Sequence, residues 1–106
     1  MIVNQLEEKK GENITLMDIR NIASFADYFI FCNGTSDRML QNLAETVQKY
    51  ARNELGIKCK LEGNPGDEWI ALDLGDIVLH LLTPERRNYY QIEQLWEKGK
   101  IILHYQ

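Results

Sequence analysis

The strongest constraint in this sequence lies between residues 68 and 83. Two strand-like runs, 68–74 and 77–83, flank the pair Gly75-Asp76. A two-residue connection with Gly first is a tight-hairpin signal, because Gly accepts the positive φ that the first turn position demands. The turn also sets the register. Leu74 pairs with Ile77, Leu72 with Leu79 and Ile70 with Leu81. Side chains alternate across a strand, so the register assigns the faces. One face is purely aliphatic and must be core. The other carries Trp69, Ala71, Asp73, Val78, His80 and Leu82. A face that mixes an indole, a carboxylate and an imidazole is either covered by partly polar structure or offered to a partner.

A lone hairpin cannot bury that aliphatic face, so the rest of the chain must cover it. The clearest cover is a helix over 36–55. Met39, Leu40, Leu43, Ala44, Val47, Tyr50, Ala51 and Leu55 recur at helical spacing, with Ser36 or Thr35 as cap and Gly56 as stop. Residues 26–32 are apolar on both faces, as in an interior strand. Ile14 to Ile19 read as a strand with mixed faces. Ile57 to Glu62 read as a strand before the turn Gly63-Asn64-Pro65-Gly66. Residues 1–10 suit a short helix, with Ile2, Val3 and Leu6 on one side and Gly11 ending it. Thr83-Pro84-Glu85 starts a last helix, whose Tyr89, Tyr90, Ile92, Leu95 and Trp96 are expected to pack back on the sheet. Ile101 to Tyr105 is an edge strand or a docking tail. This order predicts an α/β (α+β) domain, a single mixed β-sheet flanked by helices. At 106 residues, with 44% hydrophobic and 26% charged, one globular domain over 1–106 is expected and disorder is not.

The net charge is −4, which argues against a chain built to grip a nucleic-acid backbone. Its distribution says more. Residues 1–60 are net zero, 61–85 are net −6 with no Lys or Arg, and 86–106 are net +2. The acidic stretch coincides with the hairpin, and it can steer a basic partner. Cys32 lies in an apolar run and reads as a small buried hydrophobe. Cys59, between Lys58 and Lys60, is expected to have a mildly favoured thiolate. Two thiols make neither a disulfide framework nor a zinc site. No apolar run approaches the ~20 residues of a membrane helix, and the N-terminus has no signal-peptide pattern. A cytoplasmic setting with no membrane contact is expected.

Several groups are candidates for chemistry. Gly34-Thr35-Ser36 precedes the long helix, where free N–H groups can hold phosphate, but Asp37 repels an anion there and no P-loop Lys follows. Asp73 and Asp76 could bind Mg²⁺ for nucleotidyl transfer, yet they point differently in the hairpin, and turn chemistry explains Asp76. His80 has no nucleophile at a telling spacing. Its expected partner is a carboxylate on the same face, such as Asp73. Trp69 is the residue to single out, an aromatic anchor beside Asp67 and Glu68 that fits an apolar partner surface with a basic rim. None of these requires a cofactor or a metal.

The ordered set Ala26-Asp27-Tyr28-Phe29, Gly34-Thr35-Ser36-Asp37-Arg38, Glu62-Gly63, Glu68-Trp69-Ile70, Leu72-Asp73-Leu74-Gly75-Asp76-Ile77-Val78-Leu79-His80 and Arg87-x-Tyr89-Tyr90-x-Ile92-Glu93-x-Leu95-Trp96 resembles the ribosomal silencing factors, the Iojap or RsfS family. The resemblance runs from about Asn13 to Trp96. It implies a nucleotidyltransferase-like fold without enzymatic activity. It implies binding to large-subunit ribosomal protein fourteen, on the face that meets the small subunit, and hence a steric block to subunit joining and repression of translation when nutrients are short. Trp69, Ile70, Gly75 and His80 match the stretch this family turns towards its partner. Arg38, Glu68, Asp73, Asp76 and the Arg87-Tyr89-Tyr90 region match its signature. The first helix is short where relatives often have a longer one, and a homodimer stays open. The alternative is a nucleotidyltransferase-like enzyme using Asp73 and Asp76 with Mg²⁺. Direct sequence-specific nucleic-acid binding is not expected.

Overall fold

The computed structural model describes residues 2–63, 66–90 and 99–105, the side chains of Tyr89, Tyr90 and Tyr105 excepted. The elements are α1 (Ile2–Glu8), β1 (Glu12–Asp18), β2 (Tyr28–Asn33), α2 (Asp37–Tyr50), a π-helical turn (Ala51–Leu55), β3 (Lys60–Glu62), β4 (Trp69–Asp73), β5 (Ile77–Leu82), α3 (Pro84–Tyr90) and β6 (Lys100–Tyr105). The strands form one sheet in the order β3-β4-β5-β2-β1-β6. β2 runs parallel to β5, and the other neighbours are antiparallel. The sheet is therefore mixed, as the sequence predicts, with β2 in its interior. Among the described residues, no helix is long and apolar enough to cross a membrane.

The hairpin forms in the expected register. Ile70 lies opposite Leu81 and Leu72 opposite Leu79, while Leu74 N–H donates to the Ile77 carbonyl at 2.9 Å. Gly75 takes φ 93°, a value that strains any residue with a Cβ. The Asp76 carbonyl then accepts from the N–H groups of Asp27 (2.7 Å) and Tyr28 (3.1 Å), tying the turn to the entry of β2.

Each face of the sheet has its own core. The aliphatic face packs Ile14, Ile30, Cys32, Ile70, Leu72, Leu79 and Leu81 against Leu6 of α1 and Leu40, Leu43 and Val47 of α2. Ser36 caps α2 by accepting from Met39 N–H at 3.2 Å, and Asp37 suits its first turn. The opposite face gathers Met17, Ile19, Ala26, Phe29, Phe31 and Leu82, with Trp69 and Val78 packed at its margin.

Three local expectations change. The strand expected over Ile57 to Glu62 shortens to Lys60–Glu62, because Ile57 and Cys59 turn inward against the core instead of pairing with β4. Gly11 is not the left-handed residue that ends α1: Lys10 takes φ 65°, and Gly11 is needed because a Cβ there would stand 2.5 Å from Cys32 Sγ. The Cys59 thiol is pushed up by burial, so flanking lysines do not make it a favoured thiolate. Cys32 is fully buried, and its thiol is pushed up to about 12 by desolvation. Residues Ile101 to Tyr105 form an edge strand beside β1. The packing expected of Tyr89, Tyr90, Ile92, Leu95 and Trp96 lies outside the described residues.

Candidate functional site

The mixed face of the hairpin opens into a depression of about 500 Å³, lined by Glu62, Gly63, Asp67, Trp69, Ala71, His80 and Arg86. Local structure explains each placement. β4 and β5 pair so that Ala71 lies opposite His80, a small side chain that leaves room above the imidazole. β3 brings Glu62 opposite Ala71 on the other side. Gly63 follows with φ 118°, and a Cβ there would lie 2.5 Å from the Trp69 carbonyl oxygen, so only Gly lets the chain pass so close to the Trp69 backbone. A larger depression, about 580 Å³, lies beside α1 and α2 and holds none of the site residues expected from the sequence.

Trp69 and His80 are joined. The indole Nε1–H donates to His80 Nδ1 at 3.3 Å. The imidazole stacks on Phe31 with centroids 5.1 Å apart and an interplanar angle of 16°, and it meets the edge of Phe29 at 5.0 Å and 82°. Burial in this aromatic slot holds the His80 pKa down to about 4, so the ring is neutral at neutral pH. The expected contact with Asp73 is not formed. Asp73 lies opposite Val78, and its Oδ1 accepts from Gly75 N–H at 2.9 Å, inside the turn.

The remaining predicted residues disperse. Glu68 stands at the rim with φ 59°; its Oε2 accepts from Thr83 Oγ1 at 3.2 Å and lies 3.7 Å from Arg86 Nε. Ile70 turns its side chain into the aliphatic core, 7% exposed, and so presents no contact on the Trp69 face. Gly75 and Asp76 sit in the turn beyond the far end of β4, on the order of 20 Å from Trp69 at strand rise. Arg38 lies in the first turn of α2, in the layer covering the aliphatic face. It lines a separate shallow depression with Ser36, Met39 and Glu45. Tyr89 falls in α3, with its side chain outside the described residues. Among the described residues, no three His, Cys, Asp or Glu side chains converge as a metal-ligating group.

The structure gives a role to Arg87, which the sequence places only in the family signature. Arg87 is buried, and its guanidinium donates to Asn33 Oδ1 (3.0 Å), Thr15 Oγ1 (3.0 Å) and the Asn13 carbonyl. It lies 5.7 Å from the centre of the Phe31 ring. The available signal was a pair of polar residues, Thr15 and Asn33, at sheet positions otherwise filled by apolar side chains.

The arrangement is suited to gripping a surface. It presents a half-buried indole held by a neutral imidazole, with Glu62 and Asp67 at its margin. Comparison with known proteins agrees with the residues that carry the resemblance. The family described as "Ribosomal silencing factor during starvation" matches residues 1–104. A protein of Halalkalibacterium halodurans named ribosomal silencing factor RsfS is 37% identical over 97 residues, 91% of this chain and 82% of that one. A mouse protein named mitochondrial assembly of ribosomal large subunit protein 1 is 31% identical over 91% of this chain, which spans 43% of that longer protein. A crystal structure of a Chromobacterium violaceum protein superposes with a TM-score of 0.86 at 35% identity, covering 92% of this chain and 81% of that one. The chain thus belongs to the RsfS family of ribosomal silencing factors.

Proposed function

We propose that this chain represses translation by binding the large ribosomal subunit and sterically preventing the small subunit from joining it. Membership of the silencing-factor family carries the reading, and the Trp69 depression supports it. In this reading the partner is large-subunit ribosomal protein fourteen, engaged in the cytoplasm, with residues 1–106 acting as one binding module. An aromatic anchor with Glu62 and Asp67 around it complements a basic protein surface with an apolar patch. The net −6 of residues 61–85 speeds that encounter and opposes direct contact with RNA phosphates. The mechanism needs no bond chemistry. Occupying a surface that the small subunit requires shifts the joining equilibrium by mass action.

An enzymatic reading has less support. The Asp73 carboxylate is engaged within its own turn, and the Asp76 backbone anchors β2. Sedimentation with isolated large subunits, small subunits and joined ribosomes tests the proposal. The wild type is expected to travel with large subunits alone, and Trp69→Ala, still folded, to bind them about thirtyfold more weakly, as for an interface anchor. Unchanged binding by folded Trp69→Ala would remove this face from the reading.

A further inference from the structure

His80 is an odd residue for its place. Phe29, Phe31 and Trp69 surround it with aromatic rings. Its Nδ1 accepts from Trp69, so in the neutral ring the proton sits on Nε2. That Nε2 is buried, and it has no hydrogen-bond partner among the described residues. A buried donor left unpaired is destabilising. A phenyl ring would fill the same slot and stack on Phe31 without a buried ring N–H, and the donor it left without an acceptor, the indole N–H, belongs to the half-buried Trp69 at the depression. Stability therefore does not explain an imidazole here. The one thing His80 supplies that Phe cannot is an acceptor for the indole N–H of Trp69.

The geometry points to His80 as a positioning residue: its Nδ1, held in place by the stack on Phe31, fixes the orientation of the Trp69 indole in the depression and so preorganises the anchor for its ribosomal partner. The support continues beneath the ring. Phe31 is fully buried, and the Arg87 guanidinium lies over it while bonded to Thr15 and Asn33. An anchor already oriented loses less side-chain freedom on docking, which strengthens binding without a new contact.

The proposal rests on the reading that Trp69 meets the large subunit, and two substitutions separate it from a merely structural role. His80→Phe keeps the stack and removes the acceptor. Its melting temperature is expected at or above wild type, and its affinity for isolated large subunits about tenfold lower, the equivalent of one net hydrogen bond. In the free protein, the Trp69 indole N–H resonance, assigned with Trp69→Phe, is expected to shift and exchange faster with solvent. His80→Asn restores an oxygen near the Nδ1 position but loses the stack. It is expected to melt below wild type yet to bind more tightly than His80→Phe. A structural role predicts the opposite, with binding following stability in both variants, and that result overturns the proposal. So does an unmoved indole resonance in folded His80→Phe. If the wild type itself does not bind large subunits, the functional reading fails, while the indole resonance still decides whether His80 orients Trp69.

Discussion

The two faces of the one sheet solve different problems. Beneath α1 and α2, leucines, isoleucines and valines from four strands and two helices pack together, with no buried charge beside them among the described residues. On the other face Arg87, Thr15, Asn33 and His80 are placed among phenylalanines and a tryptophan. Aliphatic packing is non-directional, so many arrangements of the first face would do nearly as well. Buried polar groups are directional and are destabilising when mispaired, so the second face admits few arrangements. The first face holds the fold together, and the second aims a side chain.

Deleting packing on the aliphatic side should have the largest effect. Leu79→Ala leaves a cavity at a fully buried position and is expected to destabilise the fold by about 2–5 kcal/mol in urea titration. A smaller loss would mean that α2 collapses onto the gap. On the other face, Arg87→Met keeps much of the side-chain volume but strands the Asn33 and Thr15 side chains. A loss of about 2–3 kcal/mol is expected, with the accompanying change in Trp69 emission read against a Trp69→Phe background. If Arg87→Met is neutral, the guanidinium is not what sets the second face.

The pH response sharpens the contrast further. His80 is near 6.5 in the unfolded chain and about 4 in the folded one. Between those values the unfolded chain binds the extra proton, so stability rises with pH. The contribution is complete above pH 6.5 and is lost as pH falls towards 4, by about 3 kcal/mol at most. His80→Phe should flatten the stability profile over that window, whereas Leu79→Ala should lower it without changing its slope. Parallel profiles for wild type and His80→Phe would show that His80 is not the group responsible. Asp18 is a useful foil. Its carboxyl is held near 2 by the Arg20 side chain, but the pair is exposed, so its pH effect lies lower and is screened by salt.

Much of this fold was legible locally. Gly75-Asp76 set the hairpin register because a two-residue turn leaves one pairing, and alternation then separated the two faces. The periodicity of 36–55, with Ser36 and Gly56 at its ends, located α2 together with the π-helical turn that continues it to Leu55, for the same reason: the interactions that decide them lie within a few residues. The part of Ile57 to Glu62 that pairs was not legible, because an edge strand's length depends on what its neighbour offers. Trp69 was visible as an anchor from its face and its acidic surroundings. Its link to His80 rather than a link from His80 to Asp73 was not, because alternation places all three on one face and only side-chain orientation chooses between them.

The sequence by itself determined the interior strands, the long helix, the two-faced hairpin and the concentration of negative charge on residues 61–85, all consequences of short-range pattern. Tertiary structure alone decided which polar groups meet. Arg87 finds acceptors 54, 72 and 74 residues away, and His80 is walled by rings from β2 as well as β4. Those contacts form only once β2 lies parallel beside β5, a pairing made through a crossover whose partner no local signal names.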